Sequence, residues 1–207
     1  MNLGRPLIEY SPTDITELRR QMLQQPASFW LIDRETRVKL AGDRPGNAVF
    51  FYNDMPGFVR RSLMNEVKSG FVNVIRSPQR PLFGEIERLI ARDVKPHFSN
   101  CDVMRIQLAE LPPGQIIAPH YDAGILALIH RLHIPLVTHP AVKFIISGKT
   151  FYLKEGVLYD LNNVVTHSVE NNSDVMRIHI LIDMLPHSVA RARYHDTEES
   201  MLAAIAA

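Results

Sequence analysis

The chain has 207 residues, 46% hydrophobic and 22% charged, which suits one globular domain and excludes disorder and low complexity. Its 23 basic residues are offset by 22 acidic ones, so the net charge of +1 leaves no nucleic-acid footprint. The single cysteine, Cys101, excludes an intrachain disulfide and any cysteine-rich zinc module. The opening MNLGRPLIEYSP lacks the apolar core of a signal peptide and no apolar run is long enough to span a membrane, so a cytoplasmic protein without a membrane partner is expected.

In chain order, Ser11-Pro12-Thr13-Asp14 reads as a helix start, and Ile15, Leu18, Met22 and Leu23 continue it as an apolar stripe. Residues 29–32 and 48–52 read as strands around the polar stretch 33–47, which is either a lid over a site or a solvated loop. A second helix is expected over 56–68. A third is expected over 82–91, bracketed by Pro81 and Pro96, with Phe83, Ile86, Leu89 and Ile90 on one side. From Asp102 onward apolar and polar residues alternate over 103–108, 131–137, 142–146, 150–153, 157–161 and 175–182. Turn signals such as Pro112-Pro113-Gly114 and Asn171-Asn172-Ser173-Asp174 separate them, which argues for an antiparallel sandwich or barrel. The chain thus divides into a mixed, partly helical region over 1–100 packing on a barrel, a β core over 101–186, and a tail over 187–207.

Nine histidines invite attention, and most have a plain reading: His97, His130, His139, His187 and His195 are expected to be structural. His120-Tyr121-Asp122 is different, because side chains at i and i+2 of a strand share a face. With His167 as a third ligand, His120 and Asp122 make the 2-His-1-carboxylate set of non-haem Fe(II) oxygenases, which leaves metal positions open for cosubstrate and dioxygen. Ten residues after His167, Arg177 shares a strand face with His179, Leu181 and Asp183. An inward arginine is costly to bury without an anion, and a carboxylate suits its planar fork best. The alternatives are an internal bridge to a protein acid or an outward-facing side chain. His179 either approaches the same pocket or is a satisfied core histidine. Arg131 and His133 form a second inward pair, and two arginines beside an iron site suit a dianion such as 2-oxoglutarate.

These motifs together resemble the aspartyl/asparaginyl β-hydroxylase family of Fe(II)- and 2-oxoglutarate-dependent dioxygenases. The resemblance runs through Pro119-His120-Tyr121-Asp122, Arg131-Leu132-His133-Ile134-Pro135-Leu136, Gly156 to Asp160, His167-Ser168-Val169-Glu170-Asn171 and Arg177-Ile178-His179 on to Asp183. It implies a mainly β protein with flanking helices, a double-stranded β-helix or cupin-like jelly roll. It implies that His120 and His167 bind Fe(2+), with Asp122 retained as in bacterial proline 3-hydroxylase-like members. Arg177 would pair with the distal carboxylate of 2-oxoglutarate, and Arg131 and His133 would line the other side of the cosubstrate pocket. Where some relatives carry a small hydroxyl residue, this chain has Ala109, with Gln107 or Tyr159 as replacements. The implied reaction hydroxylates a C–H bond of an amino acid, or of an amino-acyl or peptidyl residue of Asp, Asn or Pro type, with dioxygen consumed and succinate and CO2 released. Without an anchor or repeat domain to present a protein substrate, a free amino acid or a carrier- or peptide-borne amino-acyl unit is the expected partner. The rival readings are a cupin-type metal-binding protein without oxygenase activity, which needs Arg177 tied to a protein acid, and a zinc-dependent isomerase or hydrolase on the same three ligands.

Overall fold

The computed structural model describes residues 1–41, 45–53 and 75–192; the helix expected over 56–68, His195 and the apolar tail over 201–207 lie outside the described residues. The N-terminal half contributes β1 (Leu7–Pro12), α1 (Thr16–Leu23), α2 (Arg34–Ala41), β2 (Ala48–Asn53), β3 (Ile75–Arg76) and α3 (Phe83–Leu89). Then come β4 (Cys101–Leu111), β5 (Ile116–His120), β6 (His130–Val137), β7 (Val142–Ile146) and β8 (Lys149–Phe151). The chain continues through β9 (Val157–Leu161), β10 (His167–Asn171), β11 (Arg177–Pro186) and α4 (His187–Ala192).

The strands form two antiparallel sheets. One runs β1-β9-β6-β11-β4-β2-β3 and the other β5-β10-β7-β8. From β4 onward the chain passes back and forth between them, with one hairpin, β7-β8, inside the smaller sheet: β4, β6, β9 and β11 lie in the larger sheet, and β5, β7, β8 and β10 in the smaller. That winding is a double-stranded β-helix, the cupin-like jelly roll.

Alternation along the strands sorts the side chains into two layers. Ile106 and Leu108 of β4, Leu132, Ile134 and Leu136 of β6, and Ile178, Ile180 and Ile182 of β11 share one core with Leu18 and Met22 of α1 and with Phe83, Ile86 and Leu89 of α3. The helices therefore cover the outer face of the larger sheet. A second core lies between the sheets, where Phe144 and Ile146 of β7 meet Tyr159 and Leu161 of β9, Leu111 and Val169. The intervening positions of β11 and β4 are polar yet enclosed: Arg177 is 2% exposed, His179 0% and Asp183 1%. A half-buried strand ordinarily turns such a face to water. Here it faces the interior, and that interior is the candidate site.

Several local expectations are corrected. Ser11 and Pro12 end β1 instead of opening a helix, with Pro12 opposite Val157. Proline is tolerated there because β1 is an edge strand. The helix starts at Thr16, whose amide donates to Asp14 Oδ1 at 3.0 Å. The strand expected over 29–32 is a 3-10 turn, Ala27–Leu31, that follows Pro26 and buries only Phe29 deeply. A four-residue apolar run does not carry enough period to separate the two. The polar stretch 33–47 contains α2, entered from a buried Asp33 that pairs with Arg80. The third helix ends at Leu89 and opens into one wider turn over Ile90–Val94, where the Lys95 amide reaches back to Ile90 O at 2.9 Å. Alternation also missed β5 and β10: Pro119 interrupts the first, and His167, Ser168, Glu170 and Asn171 make the second too polar to stand out.

Candidate active site

His120 closes β5 and His167 opens β10, and the two stand opposite each other across the antiparallel pair. Their ring centres are 4.3 Å apart. Each Nδ1 faces the carbonyl two residues earlier, Ala118 at 2.8 Å and Val165 at 2.9 Å. A carbonyl only accepts, so each Nδ1 carries the proton and each Nε2 presents a bare lone pair. Fixing the tautomer through the second nitrogen is how a ligand histidine is held ready for a metal. Burial, with the neighbouring His120 acting in the same direction, pushes the His167 imidazole below its ordinary pKa and keeps it neutral.

Asp122 reaches the same point by a different route from the one its spacing suggests. It lies past the end of β5, so strand alternation does not aim it. Its amide donates to Asn163 O at 2.8 Å. Its Oδ2 accepts from Asn163 Nδ2 at 3.2 Å and from Arg131 Nη1. One donor atom each from His120, Asp122 and His167 then lie within 4.8 Å of one another. Two imidazole nitrogens and one carboxylate within reach of a common point fit a divalent transition-metal ion.

The three face a cavity of about 260 Å³ whose walls include Arg105, Gln107 and Ala109 of β4, Phe144, His133 and Arg177. Arg177 Nε is buried without a hydrogen-bond partner, and no carboxylate pairs with this guanidinium among the described residues. Its carbon Cζ lies 5.3 Å over the Phe144 ring, a favourable contact for its charge. Burial alone pulls the Arg177 pKa down to about 9, the signature of a cation enclosed without its anion. Residues that leave a buried cation unpaired at the end of a cavity fit an anionic ligand that brings the missing carboxylate.

Arg131 lines the same cavity with His133, yet its guanidinium is already engaged. Its Nε donates to Asp183 Oδ1 at 3.0 Å, and its Nη1 holds Asp122. Asp183 also accepts from Arg105 Nε at 2.7 Å. Burial opposes the charge on Arg131, but Asp183 and Asp122 outweigh it and raise its pKa. For Asp183 the balance runs the other way: burial pushes its carboxyl up, and Arg105 and Arg131 more than compensate and hold it below the usual range. The geometry therefore ties Arg131 to Asp122, the carboxylate of the candidate metal-ligand set, in place of the open cation expected from its position. Of the two groups considered as replacements beside Ala109, Gln107 lines the cavity. Tyr159 does not: its hydroxyl accepts the Lys154 amide at 3.1 Å.

Reading the sequence alone missed Arg105, Asn163, Phe144 and Arg37, all of which touch this region. Arg105, Gln107 and Ala109 sit at alternate positions of one strand, a signal that was available. Arg37 and Gly46 reach the cavity rim from the stretch read as a loop. Gly46 is required there: its φ is +85°, and a Cβ would lie 2.0 Å from the Glu110 carbonyl oxygen. The structural histidines behave as expected where they are described: His130 Nδ1 bonds Asp160 at 2.6 Å, and His139 Nδ1 accepts the Ala141 amide at 3.1 Å.

Three comparisons bear on this site. No curated protein sequence matches the chain significantly. Among solved structures, the chain is similar to an oxidoreductase of the 2OG-Fe(II) oxygenase family from Burkholderia pseudomallei, with 13% identity over 85% of this chain and 93% of that one and a TM-score of 0.49. It is similar also to the viral collagen prolyl hydroxylase of Paramecium Bursaria Chlorella virus-1, a 2OG complex, with 12% identity over 87% and 96% of the two chains and a TM-score of 0.46. A cupin domain from Bordetella pertussis Tohama I shares 22% identity over 41% of this chain and 90% of its own, with a TM-score of 0.32. Residues 73–186, more than half of the chain and a span that includes His120, Asp122 and His167, match the family model for aspartyl/asparaginyl β-hydroxylase. On that match, the chain belongs to the aspartyl/asparaginyl β-hydroxylase family.

Proposed function

We propose that the protein is an Fe(II)- and 2-oxoglutarate-dependent dioxygenase that hydroxylates a C–H bond of an amino acid or an amino-acyl unit. The observation that carries this reading is Arg177: a fully enclosed guanidinium with no carboxylate, in the same cavity as two histidines with bare Nε2 atoms and a carboxylate. A cupin without oxygenase activity would need that arginine bridged to a protein acid, and none of the described acids meets it. A zinc hydrolase or isomerase on the same ligands has no use for it.

In this reading His120, Asp122 and His167 hold the iron, and Arg177 holds the distal carboxylate of 2-oxoglutarate. Bound there, the iron and the keto acid supply an oxidant able to break an unactivated C–H bond; one oxygen atom of O2 ends in the new hydroxyl and the other in succinate, with CO2 released. The protein's own part is orientation. The Ala118 and Val165 carbonyls fix the two imidazoles, and Asn163 and Arg131 fix Asp122. No helix among the described residues is long and apolar enough to cross a membrane, which is compatible with a cytoplasmic small-molecule enzyme.

The test is optical and anaerobic. Adding Fe(II) and 2-oxoglutarate together should produce a weak visible charge-transfer band that neither produces alone, and His120→Ala or His167→Ala should abolish it. Succinate release across a panel of amino acids and short peptides then identifies the substrate. A protein that binds Fe(II) but gives no band with 2-oxoglutarate would defeat the proposal.

A further inference from the structure

Behind the cavity wall, between Arg177 and Leu181 on β11 and against the Phe144 ring, lies a second polar residue that the motifs do not assign and that does not itself line the cavity. His179 is 0% exposed, and neither Nδ1 nor Nε2 has a hydrogen-bond partner. His133 Nδ1 and Arg177 Nε are orphaned in the same way. All three groups gather on one phenyl ring. His179 stacks on Phe144 at 5.5 Å with an interplanar angle of 12°, His133 meets the same ring edge-on at 5.8 Å, and Arg177 Cζ lies 5.3 Å over it. The two imidazoles are 5.8 Å apart and do not bond each other. The residue opposite His179 on β4 is Ala109, which lines the cavity and contributes only a methyl group.

A buried polar group left unpaired is destabilising, so three in one patch call for a polar ligand that all of them share. Burial and the Arg177 charge hold both imidazoles well below their ordinary pKa, so each is neutral and has one N–H to donate. The patch therefore combines one positive charge with two neutral donors. That set matches a monoanionic carboxylate better than a phosphate, whose second charge would go unanswered.

We infer that His179, together with Arg177 and His133, recognises the distal carboxylate of the 2-oxoacid, reaching it directly past Ala109 or through one bound water. This rests on the dioxygenase reading and goes beyond it, because it adds a further residue to cosubstrate selection. His179 is a binding residue in this scheme and has no part in bond making.

The experiment measures ligand binding, not turnover, with the full chain loaded with Mn(II). Affinities are measured by calorimetry for 2-oxoglutarate and for 2-oxobutyrate, which keeps the keto acid and lacks the second carboxylate. In His179→Leu the affinity for 2-oxoglutarate should fall about tenfold, as expected for one hydrogen bond to a charged group. Affinities for Mn(II) and 2-oxobutyrate should stay within twofold, and His179→Gln, which keeps a donor, should recover part of the loss. A folded His179→Leu with unchanged 2-oxoglutarate affinity, or with equal losses for both acids, would overturn the inference while leaving the dioxygenase reading intact. A wild-type protein that binds no 2-oxoglutarate would overturn both. Should His179→Leu fail to fold, ring nitrogen NMR of the wild-type Zn(II) form decides: 2-oxoglutarate must shift the His179 N–H resonance, and 2-oxobutyrate must not.

Discussion

Arg177 shows how one side chain can be a defect in isolation and a device in context. Held fully buried with no carboxylate beside it among the described residues, it subtracts from stability, since a charge out of water needs a partner to offset its desolvation. Methionine fills much of the same volume and has no charge to desolvate. Arg177→Met should therefore raise the melting temperature of the ligand-free protein, by about 2–4 °C for each kcal/mol recovered, and abolish 2-oxoglutarate binding. Thermal unfolding with and without the keto acid checks both halves. A variant that is less stable and still binds would mean the guanidinium is satisfied in the native protein. The sequence indicated this residue because a charge at an alternating position of an apolar strand has few explanations. It said nothing about Arg131 being occupied, since the partners Asp122 and Asp183 come from other parts of the chain.

At the scale of the element, β11 is the organising strand. It lies between β4 and β6, with Asp183 opposite Arg105 on one side and Arg131 on the other. One carboxylate thus holds two guanidiniums, and through Arg131 it steadies Asp122. Removing one member of a buried ionic set leaves the others uncompensated and costs about 3–5 kcal/mol. Asp183→Ala should lose stability on that scale in urea titration. Its metal affinity, measured separately on the folded fraction, should also fall because Asp122 loses its brace. Stability lost with metal affinity unchanged would show that the chain of charges ends at Arg131. The strands β5 and β10 carry the two histidines and were the least visible in the sequence. Their alternation is broken by Pro119 and by polar residues, because both strands serve the site more than the core.

At the scale of the molecule, the jelly roll encloses a group of titratable side chains within a mainly hydrocarbon interior. His133 and His179 are enclosed and neutral, with folded-state pKa values well below the ordinary 6.5. The native state then binds fewer protons than the unfolded chain below about pH 6.5, so stability is complete above that value and declines as pH falls. The slope should approach about 1.4 kcal/mol per pH unit for each of these histidines in turn. Urea unfolding of the metal-free protein at pH 7.5 and pH 5.0 tests it. His179→Leu should flatten the decline, and a midpoint independent of pH would show that both imidazoles ionise freely in the native state.

The amino-acid sequence by itself determined the class of the fold and singled out three candidate metal ligands, because both signals are local. Alternation, turn residues and the spacing of His120, Asp122, His167 and Arg177 can be read within a few residues of each position. It also carried the family, since those motifs keep order and distance along the chain. Only the tertiary structure decided which charges meet. Asp122 is aimed by Asn163 and Arg131 after its strand has ended, Arg131 is claimed by two carboxylates, and Arg177 and His179 are left waiting. The reason is physical: a side chain's direction follows from the few bonds around it. Its partner depends on how two sheets close over one another, and that is settled only when the whole interior is packed.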